Sequence, residues 1–188
     1  LDNEMIKQLP TKVKTYNLIY LPIGIDFPYF SQTLQPTRTN NMTIDIIGAG
    51  IGGLTTAIAL EQKGINIRIF ERSEQIKAVG AGIILANNAM QVYEKLGLRK
   101  IIEENGNPIS SMNITKSNLK PLSKIDLSYF EQKHNIKNIA IHRGKLQQIL
   151  IDRLNTKIEL KHKLISIDKK ANAYSLKFEN GKQIQSST

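Results

Sequence analysis

Gly48, Gly50 and Gly53 stand in the run Gly48-Ala49-Gly50-Ile51-Gly52-Gly53, and Glu71 follows 18 positions after the last of them. Glycines at this spacing are suited to gripping a diphosphate with bare main chain. Gly48 makes the tight turn out of a strand, Gly50 lets the main chain approach the phosphates, and Gly53 lets helix and strand pack closely. A β-carbon at any of the three is expected to obstruct that work. The amides of Ile51 and Gly52, at the start of a helix, would face the phosphates with the positive end of the helix dipole behind them. An acid ~20 positions beyond the turn accepts hydrogen bonds from ribose hydroxyls, which makes Glu71 the expected sugar-holding carboxylate.

The glycine spacing is a weak signal alone, so the flanking elements decide. Ile44, Ile46 and Ile47 make a short apolar strand before the turn. A helix is predicted from Ile51 to Lys63, with Leu54, Ala57, Ile58, Ala59 and Leu60 forming a broad apolar face and Gly64 as its stop. Ile65, Ile67, Ile69 and Phe70 then form a second strand that closes with Glu71. Strand, helix and parallel strand in this order make a βαβ dinucleotide-binding unit. The unit does not separate FAD from NAD, because both carry an ADP half, and the acid argues only against the 2′-phosphate of NADP.

Further on, Ala86 to Leu96 reads as a helix with Asn87 or Asn88 as N-cap and Gly97 as its stop, and Leu98 to Asn105 as another short helix. Strands are expected at Ile109 to Thr115, Leu122 to Leu127 and Asn138 to His142. Arg143 to Leu154 carries Leu146, Ile149, Leu150 and Leu154 on one helical face. Ile158 to Leu160, Leu164 to Ile167 and Ala173 to Phe178 read as strands, and Asn180-Gly181 as a type I′ hairpin turn.

Residues 1–41 lack this periodicity and are punctuated by Pro10, Pro22, Pro28 and Pro36. They read as an irregular leader, with Met42 as the expected natural start; an extension that folds over the domain is the competing reading. The apolar stretch Tyr16 to Phe30 is broken by Pro22, Gly24, Asp26 and Pro28, so it is neither a ~20-residue membrane span nor a good signal peptide. The chain has no cysteine, which removes disulfides and thiolate chemistry and is compatible with a reducing, cytoplasmic setting. A formal charge of +10 permits anionic partners, but the lysines are dispersed and no nucleic-acid-binding motif accompanies them. His134, His142 and His162 are too scattered for a metal site and are expected on the surface. Glu103 and Glu104 adjoin, so they point to different faces. Tyr93, Tyr129 and Tyr174 are expected to pack in the core or a hairpin.

The stretch Ile69-Phe70-Glu71-Arg72-Ser73, then Gly80-Ala81-Gly82-Ile83-Ile84-Leu85-Ala86-Asn87-Asn88-Ala89, then Tyr93-Glu94-Lys95-Leu96-Gly97-Leu98, resembles the single-component FAD-dependent aromatic hydroxylases. The p-hydroxybenzoate, salicylate and hydroxynicotinate hydroxylases are close in kind. Ile141-His142-Arg143-Gly144-Lys145-Leu146 looks like that family's third FAD-proximal segment. The likeness runs from Met42 to the C-terminus. It implies an α/β fold: a Rossmann-like βαβ FAD-binding domain with added β-strands. It also implies Gly48, Gly50, Ile51, Gly52 and Gly53 at the pyrophosphate, Glu71 at the ribose, Arg72 beside the adenine, Gly82 near the flavin side, and Arg143 reaching the cofactor from its helix start. In such enzymes NADH or NADPH reduces the flavin, and one atom of O2 is delivered to an electron-rich ring. No nucleophile triad is involved, and no catalytic residue can be named from the sequence.

The resemblance further implies an Asp-Gly segment, a Gly-Asp segment and a strand-rich substrate region beyond Thr188. Residues 42–188 thus read as a partial FAD-binding domain, truncated at the C-terminus, whose parallel sheet lacks a later strand and leaves apolar surface uncovered. Two other readings stay open: a different FAD- or NAD-dependent oxidoreductase, since the ADP unit is widely shared, and an inactive nucleotide-binding module. The 188-residue chain is expected to bind FAD weakly and to hydroxylate nothing. Purification with a stoichiometric yellow cofactor, together with substrate-dependent NAD(P)H oxidation, would contradict this.

Overall fold

The computed structural model describes residues 43–77, 80–171 and 173–187. The expected leader and the start at Met42 lie outside them. The described residues all belong to one compact unit. Among them no helix is long and apolar enough to cross a membrane.

The βαβ unit forms where the apolar spacing puts it. Strand β1 (Thr43–Ile47) leads through the glycine turn into α1 (Ile51–Glu61), and β2 (Asn66–Phe70) returns beside β1 in parallel, with Ile46 opposite Ile69 and Ile47 opposite Phe70. A third parallel strand, β8 (Ile158–Glu159), extends the sheet on the far side of β2. The alternation of side chains along a strand then sorts β2 between two cores. Ile67 and Ile69 join Ile46, Leu54, Ala57 and Ile58 beneath α1. Phe70 points the other way, into a second cluster with Leu176, Phe178 and Ile184.

That second cluster belongs to an antiparallel meander of β9 (Leu164–Lys169), β10 (Ala173–Phe178) and β11 (Gln183–Ser187). On the same side of the parallel sheet, Asp45 and its cross-strand partner Arg68 form a bidentate pair at 2.6 and 2.9 Å, and Arg68 also reaches the Gln185 carbonyl at 3.4 Å. The parallel sheet is therefore a middle layer. β1 is its marginal strand among the described residues, and Ile47 at its end is 44% exposed.

A separate antiparallel sheet is built from β3 (Gly82–Leu85), β7 (Asn138–His142) and β4 (Asn107–Ile109), with β7 in the centre. Helices α2 (Asn87–Lys95), α3 (Arg99–Glu104) and α5 (Arg143–Arg153) supply Met90, Tyr93, Ile102, Leu146, Ile149 and Leu150 to the first core. The last turn of α1 is tied to the loop before β8, where the Glu61 carboxylate accepts from the Asn155 and Thr156 amides at 3.1 and 2.7 Å.

Four local expectations are corrected. Neither Asn87 nor Asn88 is the N-cap of α2. Ala86 holds that position without a side-chain bond, while Asn87 is buried, donating its side-chain amide to Ile136 and its backbone amide to Asn138. The strand expected over Ile109 to Thr115 is broken at Ser110 into β4 and β5 (Ser111–Thr115), because β4 pairs with β7 and β5 with β6 (Pro121–Asp126). A helix absent from the sequence reading, α4 (Ser128–His134), starts where Asp126 accepts from both the amide and the hydroxyl of Ser128. Finally, the turn at Asn180-Gly181 is not type I′, which needs two residues at positive φ. Only Gly181 has one, at 84°, and the Asn180 side chain instead bridges the Lys161 carbonyl and the Lys182 amide.

The helix and the glycine turn approach so closely that a β-carbon on Gly53 would lie 2.0 Å from the Gly48 carbonyl oxygen. Overpacking of this kind costs 1–3 kcal/mol and at times more, so Gly53→Ala is expected to lose about 3 kcal/mol. In a domain of this size that corresponds to roughly 6–12 °C in Tm. Gly52→Ala, with nothing within 4 Å of its β-carbon, is the control; equal melting temperatures for the two variants would refute the close contact.

Candidate cofactor-binding site

The turn between β1 and α1 is fixed from three directions. The Gly48 amide donates to the Phe70 carbonyl at 2.7 Å, which anchors the turn to the end of β2. Gly48 itself takes φ of 101°, a value that disfavours any residue with a β-carbon. Ala49, which is buried, donates its amide to Glu71 Oε2 at 2.8 Å and accepts at its carbonyl from Gln147 Nε2 at 2.7 Å. Gly50 is then the extended N-cap of α1, accepting from the Leu54 amide at 2.9 Å.

The first amides of an α-helix lack intrahelical acceptors, and no side chain caps those of α1. Its first turn also holds no acidic residue, so the positive end of the helix dipole is not neutralised locally. Among the described residues nothing lies within 4 Å of where a β-carbon would stand on Gly50 or Gly52. The mouth of the turn is thus open space bordered by N–H groups, which is the donor set and shape a diphosphate requires. The three glycines differ in what constrains them. Gly48 is bound by its φ and Gly53 by contact with the turn, whereas Gly50, at φ −75°, meets no obstruction among the described residues. Gly50 is therefore the glycine whose β-carbon would stand only in the way of something entering the mouth of the turn.

Glu71 is held by its backbone as well as its side chain. Its amide donates to the Glu159 carbonyl and its own carbonyl accepts from the His162 amide, both at 2.8 Å, so β8 and the loop after it brace the end of β2. One carboxylate oxygen takes the Ala49 amide and the other takes the Ser73 amide at 2.9 Å. Partial burial pushes the Glu71 carboxyl up. The amides of Ser73 and Ala49, the Ser73 hydroxyl and the Arg72 charge outweigh that effect and hold it below its ordinary value of 4.5. Because the folded state lowers this value, the stabilisation is fully present above pH 4.5 and is lost as the pH falls through the lowered value. Each oxygen keeps acceptor capacity for hydroxyl groups.

Six of the sequence-selected residues, Gly48, Gly50, Ile51, Gly52, Gly53 and Glu71, are therefore brought into one hydrogen-bonded unit. Arg72 follows immediately and is exposed, acting on Glu71 through its charge. Gly82 and Arg143 lie together on a different element pair. Gly82 is opposite His142 in the β3–β7 register, the Arg143 amide donates to the Ala81 carbonyl at 3.2 Å, and the Arg143 side chain runs past Gly80. Gln147 links the two groups, since it lies one helical turn beyond Arg143 on the same face of α5 and bonds the glycine turn. The sequence reading missed Gln147; its i+4 spacing from Arg143 was the available signal.

Two further expectations are corrected. His162 is not a surface histidine. Its side chain is 13% exposed and packs tilted against Phe70 and edge-on against Phe178, with ring centroids 5.4 and 5.2 Å away. Tyr129 does not pack in the core but is 63% exposed, whereas Tyr93 is buried with its hydroxyl 3.4 Å from Thr55 Oγ1. A shallow concavity of about 430 Å³, lined by Leu98, Ile101, Glu104, Ile149 and Arg153 among others, contains none of the turn residues.

The match to known proteins falls on the same region. The chain is 30% identical over 144 residues to 3-amino-4-hydroxybenzoate 2-monooxygenase of Streptomyces cremeus, covering 75% of this chain and 36% of that protein. It is 37% identical over 109 residues to aurachin C monooxygenase/isomerase of Stigmatella aurantiaca, covering 58% and 28%. Among solved structures, Klebsiella pneumoniae HpxO in complex with FAD and uric acid superposes with a TM-score of 0.68 at 22% identity, over 80% of this chain and 38% of that one, a likeness of fold. The chain spans about a third of the length of the curated relatives it matches. The family model described as FAD binding domain matches residues 41–182, and the chain accordingly belongs to the FAD binding domain family.

Proposed function

We propose that this chain is the FAD-binding part of a flavoprotein monooxygenase that hydroxylates a small aromatic or similar organic molecule, with NAD(P)H as reductant and O2 as oxidant. The observation that carries the reading is the open glycine turn whose neighbouring carboxylate is pinned beside it. The names of the relatives, both monooxygenases over more than half of this chain, support the reaction class. A cytoplasmic setting, where NAD(P)H is supplied, fits the same reading.

In this reading Gly50, Ile51 and Gly52 donate their amides to the pyrophosphate, while Gly48 and Gly53 keep the turn tight enough for those amides to converge. Glu71 accepts from the ribose hydroxyls, a task that needs an ionised carboxylate, and its lowered proton affinity keeps it ionised at neutral pH. Arg72 lies beside the adenine, where a guanidinium can stack on the purine. Gly82 and Arg143 face the flavin half. Held by these residues, FAD would supply the redox and oxygen-activating chemistry, with NAD(P)H as the proposed reductant. The chain's own share is binding and orientation.

Titration of the chain with FAD, ADP and FMN, followed by flavin fluorescence and calorimetry, tests this. FAD and ADP are expected to bind, with FMN, which lacks the ADP half, at least about tenfold weaker. Glu71→Gln removes charge-assisted hydrogen bonds worth about 1.5–3 kcal/mol, so FAD affinity should fall roughly 10- to 100-fold. Binding by the native chain should stay level from neutral pH down to 4.5 and decline only below it. Equal affinity for FMN and FAD, an unchanged Glu71→Gln variant, or a decline centred near neutral pH would each overturn the reading.

A further inference from the structure

We propose that Gln147 is a positioning residue for the diphosphate: by holding the Ala49 carbonyl it aims the Gly50 amide into the mouth of the turn. This rests on the FAD-binding reading above. The argument begins with the peptide unit. In a trans peptide the C=O and the following N–H point in opposite directions, and there is no cis peptide bond among the described residues. The Ala49–Gly50 peptide has its carbonyl bonded to Gln147 Nε2 at 2.7 Å, so the Gly50 N–H is turned away from α5. On that side it has no hydrogen-bond partner among the described residues, and the space beside Gly50 is open.

The preceding peptide is held as firmly. The Ala49 N–H is bound to Glu71 Oε2 at 2.8 Å, so both peptide planes flanking Ala49 are locked, one by the end of β2 and one by α5. Without Gln147 the plane between Ala49 and Gly50 could rotate, and the donor would be lost from the mouth while Glu71 still held the sugar end. Ala49 is buried, so its carbonyl has no ready exchange for water. The Gln147 contact joins segments 98 positions apart and couples the Arg143 segment to the turn. The division of labour is therefore specific: Gln147 serves the phosphates and Glu71 serves the ribose.

Ligands that separate those two parts supply the test. Adenosine keeps the base and sugar, whereas ADP and FAD add the diphosphate. In Gln147→Leu, close in size but without the donor, ADP and FAD are expected to bind about five- to tenfold more weakly, the effect of one lost hydrogen bond. Adenosine, followed by amide chemical shifts, should be unchanged within about twofold. Gln147→Glu, which at neutral pH sets a carboxylate against the Ala49 carbonyl, should lose at least as much and serves if the leucine variant folds poorly. In the unliganded variants the Ala49 and Gly50 amide resonances should move away from their native positions. Native ADP affinity in the variants, equal losses for ADP and adenosine, or unmoved Ala49 and Gly50 resonances would each overturn the assignment. Failure of the native chain to bind either FAD or ADP would instead defeat the FAD-binding reading itself, and the unliganded resonances would still decide whether Gln147 orients the turn.

Discussion

The hydrogen bond from the Ala49 amide to the Glu71 carboxylate joins the two ends of the βαβ unit, and the rest of the site is arranged around it. It ties the glycine turn to the residue that follows the second strand, so the amides of the turn and the carboxylate cannot move independently. Proximity of this kind is set by the parallel register that places Ile47 opposite Phe70, one residue short of both the turn and the acid. The carboxylate that would meet a ribose is thereby preorganised before any ligand arrives, with its charge stabilised by the Ala49 and Ser73 amides.

Behind that bond stands a layered support. The parallel sheet is covered on one side by α1 and the first core and on the other by the β9–β11 meander, with Phe70 the residue that commits β2 to both. Because Phe70 is fully buried and precedes Glu71, the packing of the meander fixes where the strand stops and the acid begins. The tilted packing of His162 on Phe70 belongs to this support, and the His162 amide that bonds the Glu71 carbonyl extends it into the site.

The βαβ unit was readable from the sequence because each of its signals is local: apolar alternation for the strands, helical spacing from Leu54 to Leu60, and a terminal acid at the right distance. Glu71 was found by counting. What escaped depends on contacts between distant segments. The Gln147 bond spans 98 positions, and its one local mark is the i+4 spacing from Arg143. His162 is partly buried because its ring packs against Phe70 and Phe178. Ser110 breaks a strand because two different partners claim its flanks, and pairing of that kind is invisible to periodicity. The hairpin and α4 are of another sort, since Asn-Gly fits more than one turn type and α4 is seven residues long, with its start held by Asp126 and not by a capping side chain of its own.

The central claim is that the glycine turn, with Glu71 and Arg72 beside it, is where the ADP half of the cofactor would rest. Its most direct measurement is the map of amide chemical-shift changes when FAD is added to the isotopically labelled chain. The account expects the largest changes at Gly50, Ile51 and Gly52 and at the amides from Glu71 to Ser73. Largest changes elsewhere, for example at Leu98 and Ile101 in the shallow concavity, with the glycine turn unmoved, would contradict it.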